Sequence, residues 1–324
     1  MIADNGVKLV LGSATAFFDG PLEKAVDFLN FAKELGFDAV DTAKIYGNNE
    51  ELLGRAGAAS SFTIDSKTPG SFGPEPSSKD VVIRDGQESL KKVQAESLDV
   101  YYIHAPDQRV PWKETLSGLD ALHKQGVFKR LGISNFLAHE IDEIVQIAKE
   151  NNFVVPSVYQ GNYSAVARRT ENEIFPTVRK HNMAFYVYSP IAGGFLSKSR
   201  DDLFASGSRF AEGNLLATIY RPMYTKPSFL RALDEWDRIA KEEGVAMAEL
   251  AYRWIVYHSK LSPEFGDAVI VGARSQEQLR ATVEGVKRGP LSKGAVRRIE
   301  EIWEGIREDA PLDNSDLHRA GVHW

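Results

Sequence analysis

Eight short apolar runs, each followed by a stretch whose apolar residues recur at helical spacing, restrict this chain more than any other feature. The runs are 8–13, 37–41, 62–67, 98–104, 128–135, 155–160, 184–190 and 268–272. The helical stretches are 21–35, 49–56, 81–93, 113–124, 141–150, 174–181, 229–242, 247–258, 276–286 and 294–308. The loop 68–78 holds Gly and Pro in a pattern that forbids a helix. Strands apolar on both faces belong to a parallel sheet covered by helices. Eight of them in 324 residues, with no compositional break to mark a linker, predict one domain over 1–324. The predicted fold is a closed (β/α)8 barrel with a long excursion at 191–226 and an additional C-terminal helix. The competing open doubly wound sheet normally carries a G-x-G-x-x-G turn after its first strand, and that turn is absent.

In such a barrel the reactive groups sit at the C-terminal ends of the strands. Those ends read Asp41, Lys67, His104, Ser134-Asn135, Gln160, Tyr188 and the run Gly272 to Ser275. Taken singly, Asp41 is a cap and Tyr46, in the loop after it, a half-buried aromatic. Capping does not account for polar groups at nearly every strand end converging on one mouth. Asp41, Tyr46, Lys67 and His104 together form a constellation able to move one proton.

Composition removes several alternatives. A net charge of −6 with no basic block argues against nucleic-acid or anionic-membrane surfaces. With no cysteine there is no disulfide, thiol nucleophile or cysteine-ligated metal, and the histidines lack neighbours at ligand spacing, so no metal is expected. No apolar run approaches bilayer length, and Met1 to Gly6 does not read as a leader, so the expected location is the cytoplasm.

The ordered motifs resemble the aldo-keto reductases. They are Asp-Thr-Ala-x-x-Tyr-Gly at 41–47, Lys67, Tyr-Tyr-Ile-His at 101–104, Gly-Ile-Ser-Asn at 132–135 and Tyr-Gln at 159–160. Tyr-Ser-Pro-Ile-Ala-Gly-Gly at 188–194 and Gly-Ala-Arg-Ser-Gln-Glu-Gln-Leu at 272–279 complete the set. His-Ala-Pro-Asp at 104–107 and Val-Tyr-Gln-Gly-Asn-Tyr at 158–163 are most similar to the aflatoxin-aldehyde reductase branch.

The resemblance implies NADPH-dependent reduction of an aldehyde or ketone. Tyr46 would donate the proton, Lys67 would lower the phenol's pKa, Asp41 would hold Lys67, and His104 would orient the carbonyl. It further implies that Asp41, Ser134, Asn135 and Gln160 lie on the nicotinamide side and that Tyr188 stacks on the ring. Ser189, Pro190, Ile191, Gly193 and Gly194 would wrap the pyrophosphate. Gly272, Arg274, Ser275 and Gln278 would meet the 2′-phosphate at a helix N-terminus, Ser275 and Gln278 forming a capping box. Arg209, within Arg209-Phe210, would also reach the cofactor.

The chain departs from the branch in three places. Ala281-Thr282 replaces the usual Glu-Asn of the adenine-contacting turn. Met223 stands where Tyr220-Arg221-Pro222-Met223 would otherwise end in a second arginine, and the ending Gly321 to Trp324 supplies no C-terminal arginine. Tyr220, Met223, Tyr224 and Trp324, with Tyr46 and His104, therefore suggest an apolar or aromatic carbonyl substrate over a small acidic aldehyde. A homo-oligomer is left open. So is a second function class: a nicotinamide-binding, redox-sensing regulatory subunit resembling the potassium-channel β subunits.

Overall fold

In the computed structural model, which describes residues 1–14, 20–315 and 319, eight parallel strands close into a barrel in chain order. They are β1 (Lys8–Gly12), β2 (Ala39–Asp41), β3 (Thr63–Thr68), β4 (Leu98–Ile103), β5 (Phe128–Ser134), β6 (Val158–Asn162), β7 (Ala184–Tyr188) and β8 (Ala268–Gly272). The flanking helices are α1 (Leu22–Glu34), α2 (Asn49–Arg55), α3 (Lys79–Val93), α4 (Trp112–Lys124), α5 (Ala138–Glu150), α6 (Thr170–Glu173) and α7 (Phe175–Lys180). After β7 come α8 (Arg200–Leu203), α9 (Ala217–Tyr224), α10 (Pro227–Glu243) and α11 (Met247–Tyr257), and after β8 come α12 (Gln276–Lys287) and α13 (Lys293–Ile306). No described helix is long and apolar enough to cross a membrane.

Strand alternation divides the apolar residues into two cores. Val10, Val100, Val158, Ala184, Ala268 and Ile270, with the rings of Tyr102 and Tyr186, fill the barrel. Their neighbours in sequence face outward and pack with the helices into a second, larger cluster. Register then fixes which polar groups meet. Asp41 pairs with Asp65 across β2 and β3, and Lys67 with Tyr102 across β3 and β4. All four belong to one inward-facing set.

The sequence reading needs correction at several boundaries. The sixth strand covers Val158–Asn162 and not 155–160, because Pro156 cannot donate to a central ladder. The helix expected at 174–181 is two pieces, α6 and α7, broken at Ile174, where φ is −121°. A 3-10 turn, Gly70–Phe72, lies within the loop read as non-helical, and the excursion holds α8 and α9. Trp324, proposed as a substrate contact, lies outside the described residues.

Candidate active site

The residues singled out at the strand ends gather at the C-terminal mouth. Asp41 ends β2 and Lys67 lies near the end of β3. The Lys67 side chain is fully buried, and its ammonium donates to Asp41 Oδ1 at 2.7 Å, Asp41 Oδ2 at 2.8 Å and the Thr42 carbonyl at 2.7 Å. Asp41 accepts again from Gln160 Nε2, at 2.8 Å, across the barrel. Removing two charges from water is costly unless each is paired and bonded. Here a bidentate ion pair and two further hydrogen bonds meet that demand.

Tyr46 and His104 stand above the pair. Their rings meet edge to face at 5.6 Å, and Lys67 Nζ lies 5.4 Å from the centre of the Tyr46 ring. Phe72, from the 3-10 turn after β3, meets the imidazole at 5.2 Å. Burial, with Lys67 nearby, holds His104 well below its ordinary pKa, so the ring is neutral. Among the described residues its Nδ1 has no hydrogen-bond partner.

The expected lowering of the Tyr46 pKa by Lys67 does not appear. Burial raises it, Asp41 and Tyr220 add to the rise, and Arg209 is the charge that opposes them. The reason is geometric: the lysine's charge is committed to Asp41 and Thr42. Tyr46 therefore keeps its proton throughout the physiological range and can act as a donor.

The remaining candidates form two groups. In the first, Asn135 adopts φ 64° and donates from Nδ2 to the His104 carbonyl at 2.9 Å and to Ser134 Oγ at 3.1 Å. Its Oδ1 accepts from the Tyr188 hydroxyl at 2.7 Å, and that hydroxyl accepts from the Asn314 N–H at 3.2 Å. A C-terminal segment thus reaches the mouth. It carries Arg319, which donates to the Asn135 carbonyl at 3.4 Å and to Asp313 Oδ1 at 2.8 Å. The reading that no C-terminal arginine stands at this site is corrected by that contact.

The second group suits an anion. Ser189, Ala192, Gly193 and Gly194 all have positive φ, the kind of backbone that forms concave N–H nests beside Pro190 and Ile191. A Cβ on Gly193 would lie 2.3 Å from the Tyr220 ring, so no larger residue fits that contact. Arg209 donates to the Tyr220 hydroxyl at 3.4 Å, and Arg274 donates to the Gly207 carbonyl at 2.9 Å. Burial and the Arg209 charge both lower the pKa of Arg274. Among the described residues neither guanidinium has a carboxylate partner. Burial raises the pKa of Tyr252, and the Arg209 charge opposes that rise. Ser275 caps α12 by accepting from the Gln278 N–H at 3.3 Å. The expected capping box is incomplete, because the Gln278 side chain accepts from the Arg274 N–H, one residue before the cap. A cavity of about 520 Å³ runs from this turn to the start of α1.

Two substrate candidates are buried side chains. Met223 is 4% exposed within the outer core, and Tyr224 is fully buried, stacked on Phe195 with its hydroxyl bonded to Asn162 Nδ2. Their spacing with Ala217 and Tyr220 on α9 is the core-facing stripe of an amphipathic helix. Thr282, in the departing adenine turn, bonds back to the Gln278 carbonyl at 3.0 Å and Ala281 is exposed. Sequence reasoning missed Phe72, Asp65 and Arg319. Only Asp65 left a signal, since it shares strand parity with Lys67.

Comparison with known proteins agrees with this geometry. A profile described as "Aldo/keto reductase family" matches residues 8–304. The chain is 34% identical to the oxidoreductase sirO of Leptosphaeria maculans, over 90% of each chain. It is 33% identical to aflatoxin B1 aldehyde reductase member 2 of Rattus norvegicus over 86% of this chain and 79% of the relative. For aflatoxin B1 aldehyde reductase member 4 of Homo sapiens the identity is 34%, over 86% and 88%. With the barrel closed and the four polar residues at its mouth, the chain belongs to the aldo/keto reductase family of oxidoreductases.

Proposed function

We propose that this protein is an NADPH-dependent reductase of aldehydes or ketones, with Tyr46 as the proton donor. The observation that carries the reading is the buried Asp41–Lys67 pair directly beneath Tyr46 and the neutral ring of His104. When bound, the reduced nicotinamide supplies the hydride. As negative charge develops on the carbonyl oxygen, the Tyr46 O–H bond breaks and its proton passes to that oxygen. Arg209 opposes the cost of the resulting phenolate. His104 can donate an N–H to the carbonyl without adding a charge, which favours orientation.

The cofactor fits the donor set. Two guanidinium groups, Arg209 and Arg274, without carboxylate partners among the described residues and beside a capped helix N-terminus suit the phosphates. Ser134, Asn135, Gln160 and Tyr188 offer amide and hydroxyl groups for the carboxamide and ring. On the substrate side Tyr46, Phe72 and His104 make an aromatic wall, which supports an apolar or aromatic carbonyl compound even though Met223 lies in the core. The aldehyde reductase names of the relatives point the same way.

The test is NADPH oxidation with a panel of aromatic aldehydes, diketones and sugars, using Tyr46→Phe as the control. Turnover by the parent and its loss in the variant is the expected result. NADPH binding with negligible turnover on every compound would overturn the reading in favour of a redox-sensing subunit.

A further inference from the structure

Below the Asp41–Lys67 pair the barrel holds a second carboxyl that the reaction as derived does not use. Asp65 lies two residues before Lys67 on β3, so both side chains enter the barrel from one strand face. It is also the register partner of Asp41. Asp65 is 1% exposed, and among the described residues its carboxyl takes one hydrogen bond, from the Val100 N–H at 3.1 Å. Asp41, by contrast, holds Lys67 through both oxygens and Gln160 besides.

The groups facing Asp65 come from five strands. Asp41 on β2 and Asp99 on β4 oppose its ionisation; Lys67 on β3 and Arg130 on β5 favour it. Tyr102 on β4 and Tyr186 on β7 are uncharged phenols in the same interior. Neither cation is free to pair with it. Lys67 is spent on Asp41 and Thr42, and Arg130 donates to Asp99 at 2.7 Å and to the Tyr186 hydroxyl at 3.2 Å. Burial is the largest influence, and the carboxyl is pushed up to about 8.

We propose that Asp65 is a positioning residue of the catalytic centre: its neutral carboxyl leaves Lys67 wholly to Asp41, and its ionisation sets the alkaline limit of carbonyl reduction. The inference rests on the reading of Tyr46 as proton donor. Two carboxyls and one ammonium share this interior, so with Asp65 protonated the three sum to zero charge. Loss of its proton to solvent leaves two carboxylates competing for one lysine. The extra buried negative charge then opposes formation of the phenolate, as the Asp41 carboxylate already does. Because the active form is the protonated one, kcat/KM is full well below pH 8 and declines as pH rises through it. The decline ends on a lower plateau, since Tyr46 still holds its proton.

The experiment is the pH profile of kcat/KM for reduction in the parent and in Asp65→Asn, which keeps an oxygen for the Val100 N–H and cannot ionise. In the parent the rate should fall on the order of three- to tenfold from pH 7 to 9.5. In Asp65→Asn the ratio of the two rates should approach one, whatever the absolute rate. A variant that keeps the parent's alkaline limb overturns the proposal. Should the variant not fold, carbon-13 NMR of aspartate carboxyls in the parent decides. One carboxyl protonated at pH 7 and ionising near 8 supports the proposal, and none overturns it. Tyr46→Phe run in parallel separates the two claims: its activity surviving sinks the proton-donor reading, whereas an inactive Tyr46→Phe beside an unaltered Asp65→Asn limb sinks only this one.

Discussion

Replacing Lys67 by methionine tests whether the ion pair beneath Tyr46 is held by mutual compensation. The substitution keeps the stem and removes the ammonium, which makes contacts of 2.7, 2.8 and 2.7 Å to Asp41 and Thr42. Asp41, 3% exposed, is left with a single side-chain donor among the described residues, Gln160 at 2.8 Å. Breaking a buried pair from one side costs about 3–5 kcal/mol, because the other charge stays buried and uncompensated. The double variant Asp41→Asn with Lys67→Met carries no charge at that point. It should lose only the bond to the Thr42 carbonyl, about 1 kcal/mol, with a small packing cost. Thermal unfolding reads the difference. At about 2 °C per kcal/mol, Lys67→Met should melt roughly 6–10 °C below the parent and the double variant should regain more than half of that. Reduction should be lost in both, so stability and activity part company in the double variant. If the double variant melts as low as Lys67→Met, compensation is not what the lysine provides.

Three further outcomes are expected. Tyr46→Phe should lower kcat for carbonyl reduction on the order of 10²- to 10⁴-fold with NADPH affinity nearly unchanged, measured by steady-state kinetics and fluorescence titration; near-native kcat would mean another acid. Arg274→Ala should weaken NADPH much more than NADH, roughly tenfold or more, since a charge-assisted contact contributes about 1.5–3 kcal/mol; equal weakening would assign Arg274 to the fold. Met223→Arg, which the sequence alone would offer as a way to improve a carboxylated aldehyde, should instead destabilise the protein by several kcal/mol, because position 223 is buried in the outer core; an unchanged melting temperature with improved turnover would place it at the mouth.

What the sequence disclosed follows from how strongly each feature is encoded. Strands apolar on both faces admit few architectures, so the closed barrel and the polar strand ends were readable together. The sixth strand slipped because Gly161 and Asn162 look like breakers. In the fold, however, Gly161 lies where a Cβ would be 2.7 Å from the Tyr159 ring. The burial of Met223 and Tyr224 is not evident from motif alignment, because Pro222 disguises the helical stripe of α9 as a loop. Phe72 sits in a Gly- and Pro-rich turn with no periodicity, so only the tertiary course of that loop brings it to His104. The direction of the Tyr46 shift was also beyond the sequence. It depends on where the lysine's three hydrogen bonds go, and residue types do not state that.

The same bookkeeping of donors explains why the two halves of the mouth are not independent. Asp41, Lys67 and His104 come from the adjacent strands β2, β3 and β4, so register alone fixes their spacing. Ser134, Gln160 and Tyr188 come from β5, β6 and β7 across the barrel. Gln160 joins the halves by donating Nε2 to Asp41 Oδ2. In a buried site a donor committed to a carboxylate is not released without cost. A ring bound between Tyr188 and Gln160 therefore meets an amide whose orientation Asp41 already sets. Conversely, any movement of Lys67 toward Asp65 changes what Asp41 asks of Gln160. The proposed acid and the proposed ring-binding face share one carboxylate, and Asp65 is its register partner.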